Sequence, residues 1–250
     1  MVTAWKNLLH EDLDKLSKLV GKVKTKEKPR LKEGERLNCA VMFVDIAGFT
    51  SLSEKLDAED VKFLMDSVLG IFTRIIEKYA GYVDKYEGDA IMAVFDSRVP
   101  AVKGDHAPAP SSEADRFPAK ASPEKTSSGT FEPTADGKFT GERVCERATR
   151  AGLEIVDSLR EINGILREKD LELHVRVGIN FGPVVAGKVG KGRQRDETVM
   201  GDTVNLAKRL ESAAPTDGVL VSESVFRFSH EAIDFEEVGL ISVTGKTKPV

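Results

Sequence analysis

Hydrophobic and polar positions follow several different periods along this chain. Residues 38 to 44, Asn-Cys-Ala-Val-Met-Phe-Val, form an apolar run of strand length that stops on Asp45, as expected of a strand buried on both faces. From Asp57 to Tyr79 the period becomes helical, with Val61, Leu64, Met65, Val68, Phe72, Ile75, Ile76 and Tyr79 on one face and Asp57 placed to cap the start. Two short strands, GYVDKY and AIMAVF, then flank Glu87-Gly88-Asp89, a hairpin turn in which glycine tolerates a positive φ. Helical spacing returns over residues 142 to 168 through Val144, Ala148, Ala151, Ile155, Leu159, Ile162 and Leu166. Beyond it the pattern predicts a strand pair, LHVRVGINFG and PVVAGKVG, a third strand around ETVM, and a helix from Asp202 to about Ala213. The short strands GVLVS, IDFEEV and ISVTG follow. The order β-α-β-β-α-β is the ferredoxin-like arrangement, so the predicted class is α+β with additions at the carboxy end. No internal repeat is visible.

Two segments stand apart. Residues 3 to 20 have helical spacing through Trp5, Leu8, Leu9, Leu13, Leu16, Leu19 and Val20, and a basic stretch containing Pro29 follows. Residues 1–36 therefore read as an amphipathic helix and linker, and 37–250 as one domain. Within that domain, residues 97–141 hold six of the ten prolines among Ser, Ala, Lys and Glu, the composition of a poorly ordered surface insertion.

Composition narrows the function classes. With 250 residues, 40% hydrophobic and 31% charged, the chain can bury one sizeable core. A formal net charge of −4 gives no electrostatic reason to expect nucleic acid or an anionic membrane as partner. Cys39 and Cys145 are the only cysteines and both lie in apolar patterns, which fits reduced core thiols of a cytoplasmic protein. No apolar run is long enough to span a bilayer.

The candidate chemistry begins at Asp45. In the ferredoxin-like topology the first and third strands are neighbours, so the end of the first and the hairpin before the third share one edge, and Asp45 would face Asp89. Two carboxylates in contact repel unless they are protonated or neutralised, and a divalent cation held by oxygen ligands is the usual neutraliser. Gly48, Phe49 and Thr50 form the turn that follows, whose backbone N–H groups and hydroxyl suit phosphate. Taken singly, Asp45 also fits an ordinary turn or cap residue, and Asp89 an ordinary hairpin residue.

Five blocks, FVDIAGFTSLSE, YVDKYEGDAIMAVF, VRVGINFGPVVAG, VMGDTVNLAKRLE and VTGKTKPV, occur together and in order. In these the chain resembles the class III nucleotidyl cyclases, from about Asn38 to Val250 apart from the insertion. The resemblance implies that Asp45, Asp89 and the Ile46 carbonyl bind two Mg²⁺ or Mn²⁺ ions per site. It also implies that Asn205 positions the ribose, that Arg209 stabilises the transition state, and that Arg176 and Lys246 bind phosphates. At Lys246 the chain departs slightly from the family, with Thr244 where many relatives carry Lys. Lys85 and Thr198 fall at the purine-selecting positions, where guanylate cyclases typically carry Glu and Cys, so ATP is the expected substrate.

What the resemblance implies further is a homodimer with shared sites, Asp45 and Asp89 coming from one protomer and Lys85, Thr198, Asn205, Arg209 and Lys246 from the other. A guanylate or mixed-specificity cyclase is the alternative within the class, and a catalytically silent dimerisation or nucleotide-sensing module the alternative outside it. A diguanylate cyclase is disfavoured because its Gly-Gly-(Asp/Glu)-Glu-Phe hairpin is absent. The chain also reads as an excised part of a longer protein, with regulatory domains beyond it.

Overall fold

The computed structural model describes residues 28–47, 55–98, 140–167, 170–191 and 194–239. The predicted helix over residues 3 to 20, the insertion over 99–139, the turn at 48–54 and the strand ISVTG with Lys246 lie outside them.

In chain order the elements are β1 (Arg36–Ala47), α1 (Ala58–Lys78), β2 (Tyr82–Glu87), β3 (Ala90–Phe95), α2 (Thr140–Leu166), β4 (His174–Lys191), β5 (Gln194–Met200), α3 (Asp202–Ala213), β6 (Gly218–Val221) and α4 (Glu223–Ser229). The sheet runs β2-β3-β1-β4-β5, with β6 pairing in parallel with the start of β4. The first four strands stand in the order 2-3-1-4, the ferredoxin-like α+β core, and β5, α3, β6 and α4 are the additions.

β1 is central and covered on both faces, hence its unbroken apolar run. Ala40, Met42, Val44 and Ile46 point into a large core with Leu64 and Phe72 of α1 and Ile155 of α2. Cys39, Val41 and Phe43 point to the opposite face, where α3 packs through Ala207. Asp57 occupies the N-cap position of α1, but its side chain makes no capping hydrogen bond there. The β2–β3 turn is made by Gly88 and Asp89, with φ +66° at Gly88, the position at which a type II′ turn takes glycine.

Three expectations need correction, and one helix is new. The predicted pair LHVRVGINFG and PVVAGKVG is one 18-residue strand, β4, which pairs with β1 over Arg36–Ala47, with β6 at its start and with β5 at its end. Pro183 does not break it, because between Ile179 and Val185 only β1 is alongside and a missing N–H on the open edge costs no ladder bond. Residues 233–238, the expected strand IDFEEV, are not in a strand. Instead Ser222 caps the unpredicted α4, its hydroxyl accepting from Val225 N at 3.4 Å. Finally, part of the stretch read as linker packs on the core. Leu31 is buried beside Val41 and Val184, Gly34 N donates to Ala186 O at 2.8 Å, and Ala186 N donates to Glu35 O at 2.8 Å.

Candidate active site

β1 delivers Asp45 to the end of the sheet, on the face it shares with Phe43 and therefore beneath α3. Its cross-strand partners are Ala90 on β3 and Arg176 on β4, and partners directly opposite share a face. Asp89 lies in the turn immediately before Ala90, near enough that its charge acts on the Asp45 carboxyl. Ile46 points its side chain into the opposite core.

Electrostatics mark the spot. Burial pushes the Asp45 carboxyl above its ordinary range, Glu211 and Asp89 push it further, and Lys208 and Arg176 oppose them. An acid already strained by two other carboxylates and half-covered by protein is a place where a cation lowers the energy. Among the described residues no group of three His, Cys, Asp or Glu side chains converges. The two carboxylates with main-chain oxygens suit a hard ion that keeps other oxygen ligands from water and phosphate, as Mg²⁺ does.

Glu211 and Lys208 were not singled out by sequence. They lie one turn apart on α3 and bond at 2.7 Å, Glu211 almost wholly buried and Lys208 lying over the Phe43 ring at 5.4 Å. The close approach depends on Gly178 of β4, where a Cβ would fall 2.0 Å from Glu211 N and 2.5 Å from Ala207 O.

Asn205 and Arg209 share a face of α3, as their spacing predicts, but it is the face turned away from the sheet. Thr203, Leu206, Ala207, Leu210 and Glu211 are buried inward, whereas Asn205 is exposed and Arg209 half-buried. At 100° per residue, 205 and 209 lie nearly opposite Ala207. One chain therefore does not bring Asn205 and Arg209 to its own Asp45. Arg209 Nη1 and Arg176 Nε are shielded from solvent without a hydrogen-bond partner, and an unmet guanidinium N–H is a natural seat for an anionic oxygen.

β2 and β5 meet at a second place. Thr198, buried on β5, donates its hydroxyl proton to Asp84 Oδ2 at 2.5 Å. Asp84 precedes Lys85 at a bulge in β2. Lys85 itself is exposed and bonded to Glu87 at 2.9 Å. Lys28, from the stretch read as linker, ion-pairs with Asp84. Neither Lys28 nor Asp84 was legible as a site residue; the only signal was a charged residue at a strand position next to Lys85.

A ferredoxin-like sheet that gathers carboxylates at one end of its central strands, covered by a helix whose outer face carries Asn-x-x-x-Arg, is the arrangement expected of nucleotide cyclase catalytic domains. The comparisons agree. The adenylate and guanylate cyclase catalytic domain profile matches residues 31–250, and the chain belongs to that family.

Among curated proteins it is 26% identical over 215 residues to adenylate cyclase 1 of Rhizobium meliloti, covering 85% of this chain and 26% of that protein. It is 30% identical over 189 residues to an adenylate cyclase of Anabaena cylindrica, covering 75% and 30%. It is also 26% identical over 222 residues to human guanylate cyclase soluble subunit beta-2, covering 88% and 29%. The chain thus spans under a third of each of these relatives. The crystal structure of the adenylyl cyclase CyaB from P. aeruginosa superposes with a TM-score of 0.68 at 27% identity, covering 87% of this chain and 93% of that one. Class III cyclases depend in general on divalent metal. No described helix is long and apolar enough to cross a membrane.

Proposed function

We propose that this domain converts ATP to 3′,5′-cyclic AMP and pyrophosphate as a symmetric homodimer with two shared sites. The observation that carries the reading is the division of each chain: Asp45, Asp89 and Arg176 gather beneath α3, while Asn205 and Arg209 face outward from it. Complementary halves on different surfaces of one chain form whole sites when two copies pair about a two-fold axis.

Asp45, Asp89 and the Ile46 carbonyl would hold Mg²⁺ or Mn²⁺, which supply a lowered pKa at the ribose 3′-hydroxyl and charge neutralisation at the triphosphate. Arg176 binds a phosphate oxygen from the same side. From the partner, Asn205 orients the ribose so that its 3′-oxygen stands in line with the α-phosphorus and the leaving pyrophosphate. Arg209 donates to the charge that develops there. Lys85 donates to adenine N1 and Thr198 accepts from the 6-amino group. Gly48, Phe49, Thr50 and Lys246 complete the triphosphate contacts in this reading.

The test is turnover of ATP and GTP, each with Mg²⁺ or Mn²⁺. Cyclic AMP as the dominant product is expected. Dominant cyclic GMP would give the purine assignment to the alternative, and no product from a folded dimer with either metal would leave a silent nucleotide-binding module. Domains outside this chain, if the protein has them, would set its regulation.

A further inference from the structure

A hydroxyl is an ambiguous purine reader: as acceptor it suits the 6-amino group of adenine, and as donor it suits the 6-oxo group of guanine. Thr198 alone therefore does not account for a preference. We infer that Asp84 is a positioning residue that fixes Thr198 as an acceptor and so sets the domain against guanine. The inference rests on the reading of Thr198 as a purine contact.

The geometry is specific. The Asp84 side chain is fully buried, so its charge must be answered locally. Oδ1 faces the Lys28 ammonium as an ion pair rather than a directed hydrogen bond. Lys28 Nζ also donates to the main-chain carbonyls of Asp84, at 3.3 Å, and of Glu197. Two of its N–H groups are thereby bonded to main-chain oxygens, its charge lies against Oδ1, and β2 is tied to β5. Oδ2 is left for Thr198, which donates at 2.5 Å; the hydroxyl's other outlet, the Val199 carbonyl, is at 3.4 Å. A hydroxyl has one proton, and the nearer, charged acceptor takes it. What remains toward a ligand is lone pairs, which pair with an amino group and oppose a carbonyl oxygen.

Asp84→Asn tests this because Lys28 orients the amide. The ammonium demands the carboxamide oxygen on its side, which turns Nδ2 toward Thr198. Nδ2 then donates to the hydroxyl, and the hydroxyl proton is released toward the purine. The ATP:GTP ratio is measured both as kcat/KM and as competition of the two nucleotides for binding, on the dimeric protein. It is expected to fall about tenfold or more, the size of one mismatched hydrogen bond.

Thr198→Ala is expected to shift the ratio as well, and Asp84→Asn to have no further effect in its presence, since Asp84 acts through Thr198. If Asp84→Asn leaves the ratio unchanged while Thr198→Ala moves it, the purine reading stands and the role of Asp84 is overturned. If neither moves it, the purine reading itself fails and the inference with it. Should Asp84→Asn not fold, the parent protein is given purine riboside triphosphate, which lacks the 6-amino donor. A loss of about tenfold against ATP is expected, and equal kcat/KM and binding would overturn the proposal.

Discussion

The proposed division of the site between protomers has a quantitative consequence. Asp45 lies on the sheet beneath α3, and Asn205 and Arg209 lie on the far side of the same helix. A helix with its side chains is about 10–12 Å across, so within one chain these groups do not meet on one phosphate. Asp45→Ala and Arg209→Ala homodimers each carry a lesion in both sites, and each is expected to lose roughly a hundred- to a thousandfold in activity. A mixed dimer carries both lesions in one site and none in the other. Random pairing of equal amounts makes about half of the dimers mixed, each with one intact site of two, so recovery approaches about a quarter of the parent activity. Mixing at three to one should lower recovery to about a fifth, by the same pairing statistics. The assay is cyclic AMP formation after subunit exchange, with exchange verified by differently tagged chains. A mixture as inactive as its components, despite proven exchange, would refute the division of the site.

Other outcomes follow from particular contacts. The Asp45 carboxyl is raised by burial and by Glu211 and Asp89, so in the metal-free protein it favours the fold when protonated. That contribution is present below the ordinary carboxylate pKa and lost as pH rises through the folded value. Asp45→Asn is therefore expected to melt at or above the metal-free parent at neutral pH, with the difference closing near pH 3–4. A thermal melt in which Asp45→Asn is the less stable at neutral pH would contradict this. Gly178→Ala places a Cβ 2.0 Å from Glu211 N; it should destabilise by about 1–3 kcal/mol or more and lower kcat by displacing Asn205 and Arg209, checked by denaturant titration beside turnover. Leu31→Ala should cost about 2 kcal/mol because Leu31 packs in the core; a change near zero would return residues 28–36 to the status of linker. The Cys39 thiol is pushed up to about 12, mainly by burial, so a thiol reagent at pH 8 should label it only on unfolding.

Much of the fold is written locally. The β1 run, the α1 and α2 stripes and the hairpin at Gly88 depend on neighbours within a few residues, and each lies where periodicity and turn chemistry place it. The five blocks likewise carry the family. Tertiary structure decided what depends on distant partners. Pro183 sits inside a continuous strand because only one neighbour is alongside, a fact of sheet order that local pattern does not contain. Leu31 and Lys28 look like parts of a basic linker, yet burial of one and ion pairing of the other join them to the core. Asp84 is one charged residue within the short strand GYVDKY. It became a buried acceptor for Thr198, 114 positions away, because the sheet curls until β2 and β5 touch. The sequence alone thus determined which chemical groups are present and on which element each rides. Only the three-dimensional packing determined which of them share a field, since charge and hydrogen bonding act over a few ångströms of space regardless of separation along the chain.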